Sequence, residues 1–461
     1  MSATTTIDVS AVIERQKLNG FLVRLVVVSW IITFFDGFDQ NVISFAAPTI
    51  APMYHLTRPM MGNVFAIGLV GTMLGGFLFG WIGDRFGRRP AVIIATLLFA
   101  VMTLDFALVG SYGGFLAMRL AVGIGTGGML PLSWALNIEY APKRWRSSIV
   151  TVVMLGYSAG ISLGGPIAVW LIPRFGWQSV FVFGGLLSLL AAIALIAQLP
   201  ESIRFMVATQ KDGKAIAGIL RRIVPDRVVP HNARFVMSDE DRLAKHFSPL
   251  LLFGGALRWI TPMLWVAYIF SSMTAFFLAT WTPLVFEALA FSRPEAAAAG
   301  SITAVAGALG GLALMRFTDT FGAIAVAAMP ALAIPLLLLG GFADVGHAGF
   351  MVLIGLIAFA LIGGHFGLHS IAGIFYPSAW RGNGAGWATS VAKVGSIAGP
   401  FLGGLILSTS LPVRQIFALM AVCPAMVLLC VLVIGGLHSR MLREGRREPN
   451  TDLRPVAAMP E

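Results

Sequence analysis

The sequence predicts an all-α membrane protein of twelve transmembrane helices in two six-helix repeats. Three observations carry the prediction: an apolar composition, twelve apolar runs of bilayer length, and motifs that return at one fixed offset. Of 461 residues, 57% are hydrophobic and 11% charged, against about 25% charged in an ordinary soluble domain. The mean hydropathy is +0.85. These figures exclude a soluble enzyme and a disordered chain. Lys and Arg number 32 against 21 Asp and Glu, a formal charge of +11. In a soluble protein that surplus would suggest a nucleic-acid partner, but no basic patch interleaved with aromatics occurs, and no nucleic-acid partner is expected. Cys423 and Cys430 stand seven residues apart in one apolar run, roughly 10.5 Å along a helix. That is too far for a disulfide, so both read as small apolar core residues. The first twenty residues carry Glu14, Arg15 and Lys17, and the apolar run behind them has no small-residue cleavage pattern. An uncleaved first span is expected.

A hydrocarbon core of roughly 30 Å takes about 20 apolar residues per helix. The runs of that length are 22–50, 59–82, 90–110, 113–140, 148–172, 179–199, 259–289, 295–316, 323–341, 348–376, 384–409 and 413–437. Charged or turn-forming residues divide them in order. Arg58 and Pro59 open the second, Gly83 to Arg89 close it, and Ser111 to Gly114 precede the fourth. Pro142 to Arg146, Arg174 to Gly176, Ser292 to Glu295, Asp319 to Gly322, Asp344 to His347, Pro377 to Arg381 and Ser408 to Pro412 mark the later breaks. The long polar interval of mixed sign defines the organisation: an N-terminal segment 1–21, a six-helix bundle 22–199, a linker 200–258 with some amphipathic helix, a second bundle 259–437 and a tail 438–461.

An even span number places both termini on one side. Assigning loops alternately gives one face only Arg58, Arg174, Arg293 and Arg414, while Arg119 and Lys393 fall within spans; the other face takes the remaining 26 of the 32 basic residues. By the positive-inside rule the basic face, with both termini and the linker, is cytoplasmic. A multi-pass inner-membrane protein of bacterial type is therefore expected.

Asp84, Phe86 and Gly87 of the loop after span 2 match Asp319, Phe321 and Gly322 after span 8 at an offset of 235 residues. The same shift carries Trp145 and Arg146 onto Trp380 and Arg381, Gly160 and Gly164 onto Gly395 and Gly399, and Trp30 onto Trp265. A six-span unit occurs twice. Gly160 and Gly164 have the small-xxx-small spacing that lets two helices approach closely.

Charged residues inside a bilayer cost about 2.5–3.5 kcal/mol each on insertion scales and are functional candidates by default. Span 1 places Asp36 and Asp39 at i and i+3, on one helix face. Desolvation and mutual repulsion disfavour ionisation of both, which makes the pair a candidate proton carrier. Lys393 stands about ten residues into span 11, at roughly mid-membrane depth, where it needs an acidic partner or an anionic substrate. Arg119, nearer the periplasmic end of span 4, is either a second charge on the proton pathway or a helix-packing anchor. His365 and His369 lie at i and i+4 in span 10. With no third ligand, a metal site is not expected, and hydrogen bonding to substrate or proton relay is the functional reading beside plain packing. Phe38, Phe277 and Trp281 are candidates to line a substrate path, beside plain core or lipid-facing packing. Glu139 reads as structural, and Asp105 and Glu287 lie toward the water-accessible ends of their spans.

The loop G-W-I-G-D-R-F-G-R-R, Gly80 to Arg89, and R-L-A-V-G-I-G-T-G-G, Arg119 to Gly128, resemble motifs of the major facilitator superfamily, whose two six-helix repeats rock about a central site. The resemblance implies the major facilitator fold and a gating role for Gly80, Asp84, Arg85, Gly87, Arg88 and Arg89, with Asp319 and Gly322 in the degraded second copy. D-G-F-D in span 1, N-I-E-Y-A-P-K-R-W-R, P-E-S-I-R-F, Y-P-S-A-W-R-G-N-G-A-G-W-A and V-G-S-I-A-G-P-F-L-G-G together resemble the aromatic acid:proton symporter family. That resemblance implies import of benzoate-type acids with protons, no cofactor beyond the proton gradient, a monomer in the bilayer, and a required role for Asp36 and Asp39. The family commonly carries Arg where this sequence has Lys393, and lysine lacks the planar clasp that arginine gives a carboxylate. Larger lignin-derived acids and non-aromatic acids such as muconate, dicarboxylates or sugar acids therefore stay open as substrates. A membrane-embedded sensor or enzyme is the alternative from another class, and no catalytic constellation supports it.

Overall fold

The computed structural model describes residues 6–209, 213–224, 233–237, 249–254, 257–321, 324–376 and 381–443, and the chain divides into two compact units, Met1–Asp241 and Arg242–Glu461. Among the described residues, eleven helices are long and apolar enough to cross a bilayer, and Val326–Phe342 is a shorter apolar one. Together they make the twelve spans expected. Only helices and closed barrels satisfy every backbone polar group in lipid.

In unit 1 the spanning helices are α2 (Gly20–Met53), α3 (Arg58–Phe86), α4 (Arg88–Phe106), α5 (Tyr112–Tyr140), α6 (Lys143–Phe175) and α7 (Gln178–Gln198). Several outrun the apolar segments that mark them, because polar N-caps begin the helix before the apolar run starts. The Asn19 side chain accepts the Leu22 N–H at 2.9 Å, and Ser111 Oγ accepts the Gly114 N–H at 3.2 Å. Gly87 separates α3 from α4 with φ at 108°, a left-handed conformation that glycine alone adopts without strain.

Unit 1 also contains short helices outside its spans and one strand pair, and the strand pair is what an all-helical reading does not foresee. The short helices α1 (Val9–Arg15), α8 (Ile203–Ala208) and α9 (Gly213–Ile223) lie outside the spans, and strand β1 (Thr6–Asp8) pairs in parallel with β2 (Arg234–Val236). Helix α9 buries Ile216, Ala217, Leu220 and Ile223 in the cluster that takes Val9, Val12 and Ile13 of α1 and Phe235 of β2. Asn19 donates to the Ile223 carbonyl at 2.8 Å. The start of the chain and the first part of the linker thus fold together onto unit 1. Three-residue strands are too short to show a period-2 signal.

Unit 2 contains a 3-10 turn at Pro249–Phe253 followed by α10 (Leu257–Ala288), α11 (Arg293–Phe321), α12 (Ile324–Phe342), α13 (Gly346–Phe375), α14 (Arg381–Leu407), α15 (Val413–Met420) and α16 (Val422–Arg443). The twelfth span is one apolar run in sequence, but it breaks at Ala421. Pro424, in the first turn of α16, has no N–H to give the Met420 carbonyl.

The 235-residue repeat is a repeat of backbone contacts. α2 packs on α6 as α10 packs on α14, and α3 packs on α5 as α11 packs on α13. A Cβ on Gly160 would overlap the Phe34 carbonyl, and one on Gly395 the Ile269 carbonyl, which is the same pair shifted by 235. Gly75 meets the Ile124 carbonyl, and Gly310 meets the Phe359 carbonyl, again in register. Gly160→Val and Gly395→Val should each lower the thermal midpoint of the detergent-solubilised protein, since overpacking costs about 1–3 kcal/mol or more. Gly80, with no atom within 4 Å of the added Cβ, should accept Ala without loss in the same assay.

Candidate functional site

In unit 1 the D-G-F-D run falls in the middle of α2, and both carboxylates are buried, Asp36 at 9% and Asp39 at 4% exposure. Arg119 of α5 donates from Nη1 to Asp39 Oδ2 at 2.9 Å, with both side chains 6% exposed. The guanidinium crosses α3 at Gly68, where a Cβ would stand 3.1 Å from Nε. Asp39 Oδ1 and Arg119 Nε are buried without a hydrogen-bond partner among the described residues. The pair is therefore held by one charge-assisted hydrogen bond, with an acceptor and a donor left over. Two charges taken out of water at this depth stand only because they face each other. Of the two readings of Arg119, a charge on the pathway and a packing anchor, the geometry joins it to Asp39 in either case. Asp36, one turn before Asp39, lies within electrostatic reach of Tyr157 on α6.

Phe38 is 2% exposed, with its ring 6.0 Å from that of Phe183 and 3.0 Å from a Cβ placed on Gly184. It is part of the packing of α2 on α7.

In unit 2 the offset of 235 puts Ser271 and Thr274 of α10 where α2 has Asp36 and Asp39. Ser271 Oγ lies 3.1 Å from His365 Nδ1 on α13. Ser271 and Thr274 border a small, partly open recess, with Gly364 next to His365 and otherwise apolar walls that include Val326, Pro330 and Leu361. Lys393 is half-buried on α14. Trp281 is 1% exposed and donates its indole N–H to the Pro400 carbonyl at 3.0 Å. Gly403 leaves the room for that indole and for the Phe277 ring, 2.5 and 2.7 Å from a Cβ there. Phe277 also lines a wider apolar cleft of about 690 Å³ between α10, α14, α15 and α16. The side chains of His369 and Asp319, and Gly322 as a whole, lie outside the described residues.

The loop between α3 and α4 is tied into unit 1 by residues that charge patterning alone does not connect. Arg88 forms an ion pair with Glu139 of α5, and Glu139 accepts from Ser202 Oγ at 2.5 Å. Glu201 caps α4 from across the unit: its carboxylate accepts the Arg89 N–H at 3.1 Å and the Ser202 N–H at 2.7 Å. A negative group at a helix N-terminus is favourable. A Cβ on Gly87 would collide with that carboxylate, so glycine is needed there for space as well as for φ. Tyr140 donates its hydroxyl to the Glu201 carbonyl. Glu201 is missed by sequence reasoning, although it stands in the P-E-S-I-R-F run. Asp84 and Arg85 lie exposed at the end of α3.

The sequence profile described as the Major Facilitator Superfamily matches residues 29–374. This chain belongs to the Major Facilitator Superfamily. Within it, the chain is 28% identical over 445 residues to the 4-hydroxybenzoate transporter PcaK of Pseudomonas aeruginosa, covering 95% of this chain and 98% of that protein. It is 30% identical over 438 residues to a gallate transporter of Pseudomonas putida, covering 94% and 96%. Among solved structures, a D-xylose-proton symporter superposes with a TM-score of 0.68 at 20% identity, over 90% of this chain and 97% of that one. The superfamily is one of transporters, and this member is a multi-pass membrane transporter with no enzymatic role.

Breaking a buried ion pair by removing one partner costs about 3–5 kcal/mol, whereas neutralising both is often tolerated. Arg119→Leu should therefore lower the thermal midpoint in detergent by more than the double variant Arg119→Leu with Asp39→Asn. Equal losses would show that the pair carries no stability of its own.

Proposed function

We propose that this transporter is a secondary active importer of aromatic carboxylates of the benzoate and hydroxybenzoate type, driven by proton symport through alternating access. The relatives named above are transporters of hydroxylated aromatic acids, and the chain matches them almost end to end. The observation that carries the coupling is the buried Asp39–Arg119 pair, held by a single hydrogen bond. A proton arriving on Asp39 removes the negative half of that pair. The ion-pair attraction is lost, only a hydrogen bond from the guanidinium to a neutral carboxyl oxygen remains, and Arg119 is freed to rearrange. Asp36 supplies a second carboxylate one turn away, so the charge of α2 changes with proton load.

The anion is assigned to unit 2, where Lys393 supplies a positive charge and His365 a hydrogen-bonding group. A proton on α2 and a substrate anion beside Lys393 then offset each other in charge, so the doubly loaded interior crosses between access states without the net charge that either load alone would add to it. The basic loops support a cytoplasmic location for both termini and the linker 200–258 by the positive-inside rule. In that orientation the Arg88–Glu139 pair and the Glu201 cap of α4 stand at the cytoplasmic end, where they belong to the inner gate with Gly80, Asp84, Arg85, Gly87 and Arg89.

Reconstituted proteoliposomes test this reading with labelled 4-hydroxybenzoate and an imposed inward proton gradient. Wild-type protein should accumulate the acid only with the gradient. Asp36→Asn and Asp39→Asn should each abolish accumulation, and Asp105→Asn, at an exposed position, should not. Full gradient-driven accumulation by either α2 variant would falsify the assignment of the proton site. Lys393→Ala should raise the half-saturation concentration about 30-fold or more, the equivalent of about 2 kcal/mol for a lost charge contact, while Lys393→Arg keeps measurable binding. Displacement of the labelled acid by muconate more effectively than by gallate would move the substrate to the non-aromatic class.

A further inference from the structure

We propose that the cleft between α10, α14, α15 and α16 is a binding site for one acyl chain of a bilayer lipid. The site requires only that unit 2 spans a membrane, and neither the substrate nor the proton enters it.

The cleft has a local cause. α14 lies against α10 at Gly399, where an added Cβ would overlap the Met273 carbonyl. One turn further along α14, Gly403 again sends no side chain toward α10, and the edges of Phe277 and Trp281 take that place. On the other side the twelfth span breaks at Ala421, and α15 packs chiefly on α12 while meeting α10 and α14 only lightly. A gap is left between them. Phe277, 7% exposed, belongs to its inner wall, whereas Leu402 of α14, Leu419 of α15 and Val422 of α16, at 39%, 45% and 55%, mark its mouth.

The chemistry of the walls selects the occupant. Two polar side chains line the cleft, Thr274 and Cys423. Thr274 donates to the Phe270 carbonyl at 2.8 Å, and the Cys423 thiol is hydrogen-bonded to Thr274. Among the described residues no charged side chain lines it, so a carboxylate there would be buried without a counter-charge, at a large desolvation cost. The mouth opens among large apolar side chains left exposed on membrane-spanning helices, the mark of a lipid-facing surface. An unfilled gap forfeits dispersion contacts along its walls, and an apolar cavity takes an apolar guest rather than water. A lipid tail is the apolar guest that every bilayer supplies at that mouth, and its flexibility suits a cleft walled by the adaptable Met273 side chain. A tail seated there completes the packing where α15 departs from α14.

Photolabelling tests the site in the full-length protein, reconstituted with a trace of phosphatidylethanolamine that carries a diazirine near the end of one acyl chain, with adducts mapped by mass spectrometry. Any lipid-facing side chain can be labelled, so the deciding adducts are those on the inner wall, at Met273 or Phe277. Wild-type protein should carry them together with adducts at the mouth. Cys423→Phe, which fills the cleft, and Leu419→Trp, which narrows its mouth, should each lose the α10 adducts while Leu429, exposed elsewhere on α16, is labelled as before. Wild-type adducts confined to exposed side chains overturn the site whether or not either variant folds, and so do α10 adducts that survive in both folded variants. Loss of the α10 adducts on adding excess 4-hydroxybenzoate would give the cleft to the aromatic acid and overturn the lipid assignment.

Discussion

Two helix backbones can touch inside a bilayer only where neither sends a side chain between them, and the two units are organised around that constraint. Lipid gives apolar side chains no reason to leave it, so association rests on close packing. Gly160 on Phe34 and Gly395 on Ile269 bring the first and fifth helices of each repeat into backbone contact, and Gly75 on Ile124 and Gly310 on Phe359 do the same for the second and fourth. Everything else in each unit is placed by those approaches. α2 is set against α6 with its D-G-F-D turn pointing into the unit, and Arg119 reaches Asp39 because Gly68 leaves a channel past α3.

Equivalent packing with unequal chemistry is the central asymmetry of the molecule. The helices meet in the same register in both units, yet unit 1 buries a carboxylate pair and an arginine where unit 2 has Ser271, Thr274 and a histidine. The carboxylates of α2 thus have hydroxyl groups as their counterparts in α10. The division fits a symporter in which one half carries the proton and the other recognises the organic anion.

Much of the fold was legible in sequence because it depends on local composition. Twelve apolar runs, their breaks and the basic loops need no tertiary information. The offset of 235 was visible at Asp84, Gly160 and Trp30, and its geometric meaning proved to be contact between backbones. What was not legible has a common cause: the signals were too short or too remote. Strands β1 and β2 are three residues each, and the capping of α4 by Glu201 joins residues 112 apart. The break at Ala421 is masked by uniformly apolar flanks. Among the aromatic side chains, composition cannot separate a ring that lines a path from one that fills a core. The packing of Phe38 on α7 and of Trp281 against Pro400 emerges only from the fold.

The sequence by itself determined the class of molecule, its repeat and the short set of ionisable residues within its spans, because spans are read from windows some 20 residues long against the thickness of a bilayer and the repeat from residue types that match at one fixed offset. Only the tertiary structure decided which of those residues answer one another. Asp36 and Asp39 look like a self-contained carboxylate pair in the sequence, but Asp39 takes its partner from Arg119, 80 residues away, and Ser271 takes His365, 94 residues away. A buried charge or hydrogen-bonding group is stabilised by what lies within about 3 Å of it, and across that distance the neighbours are chosen by helix packing rather than by order along the chain.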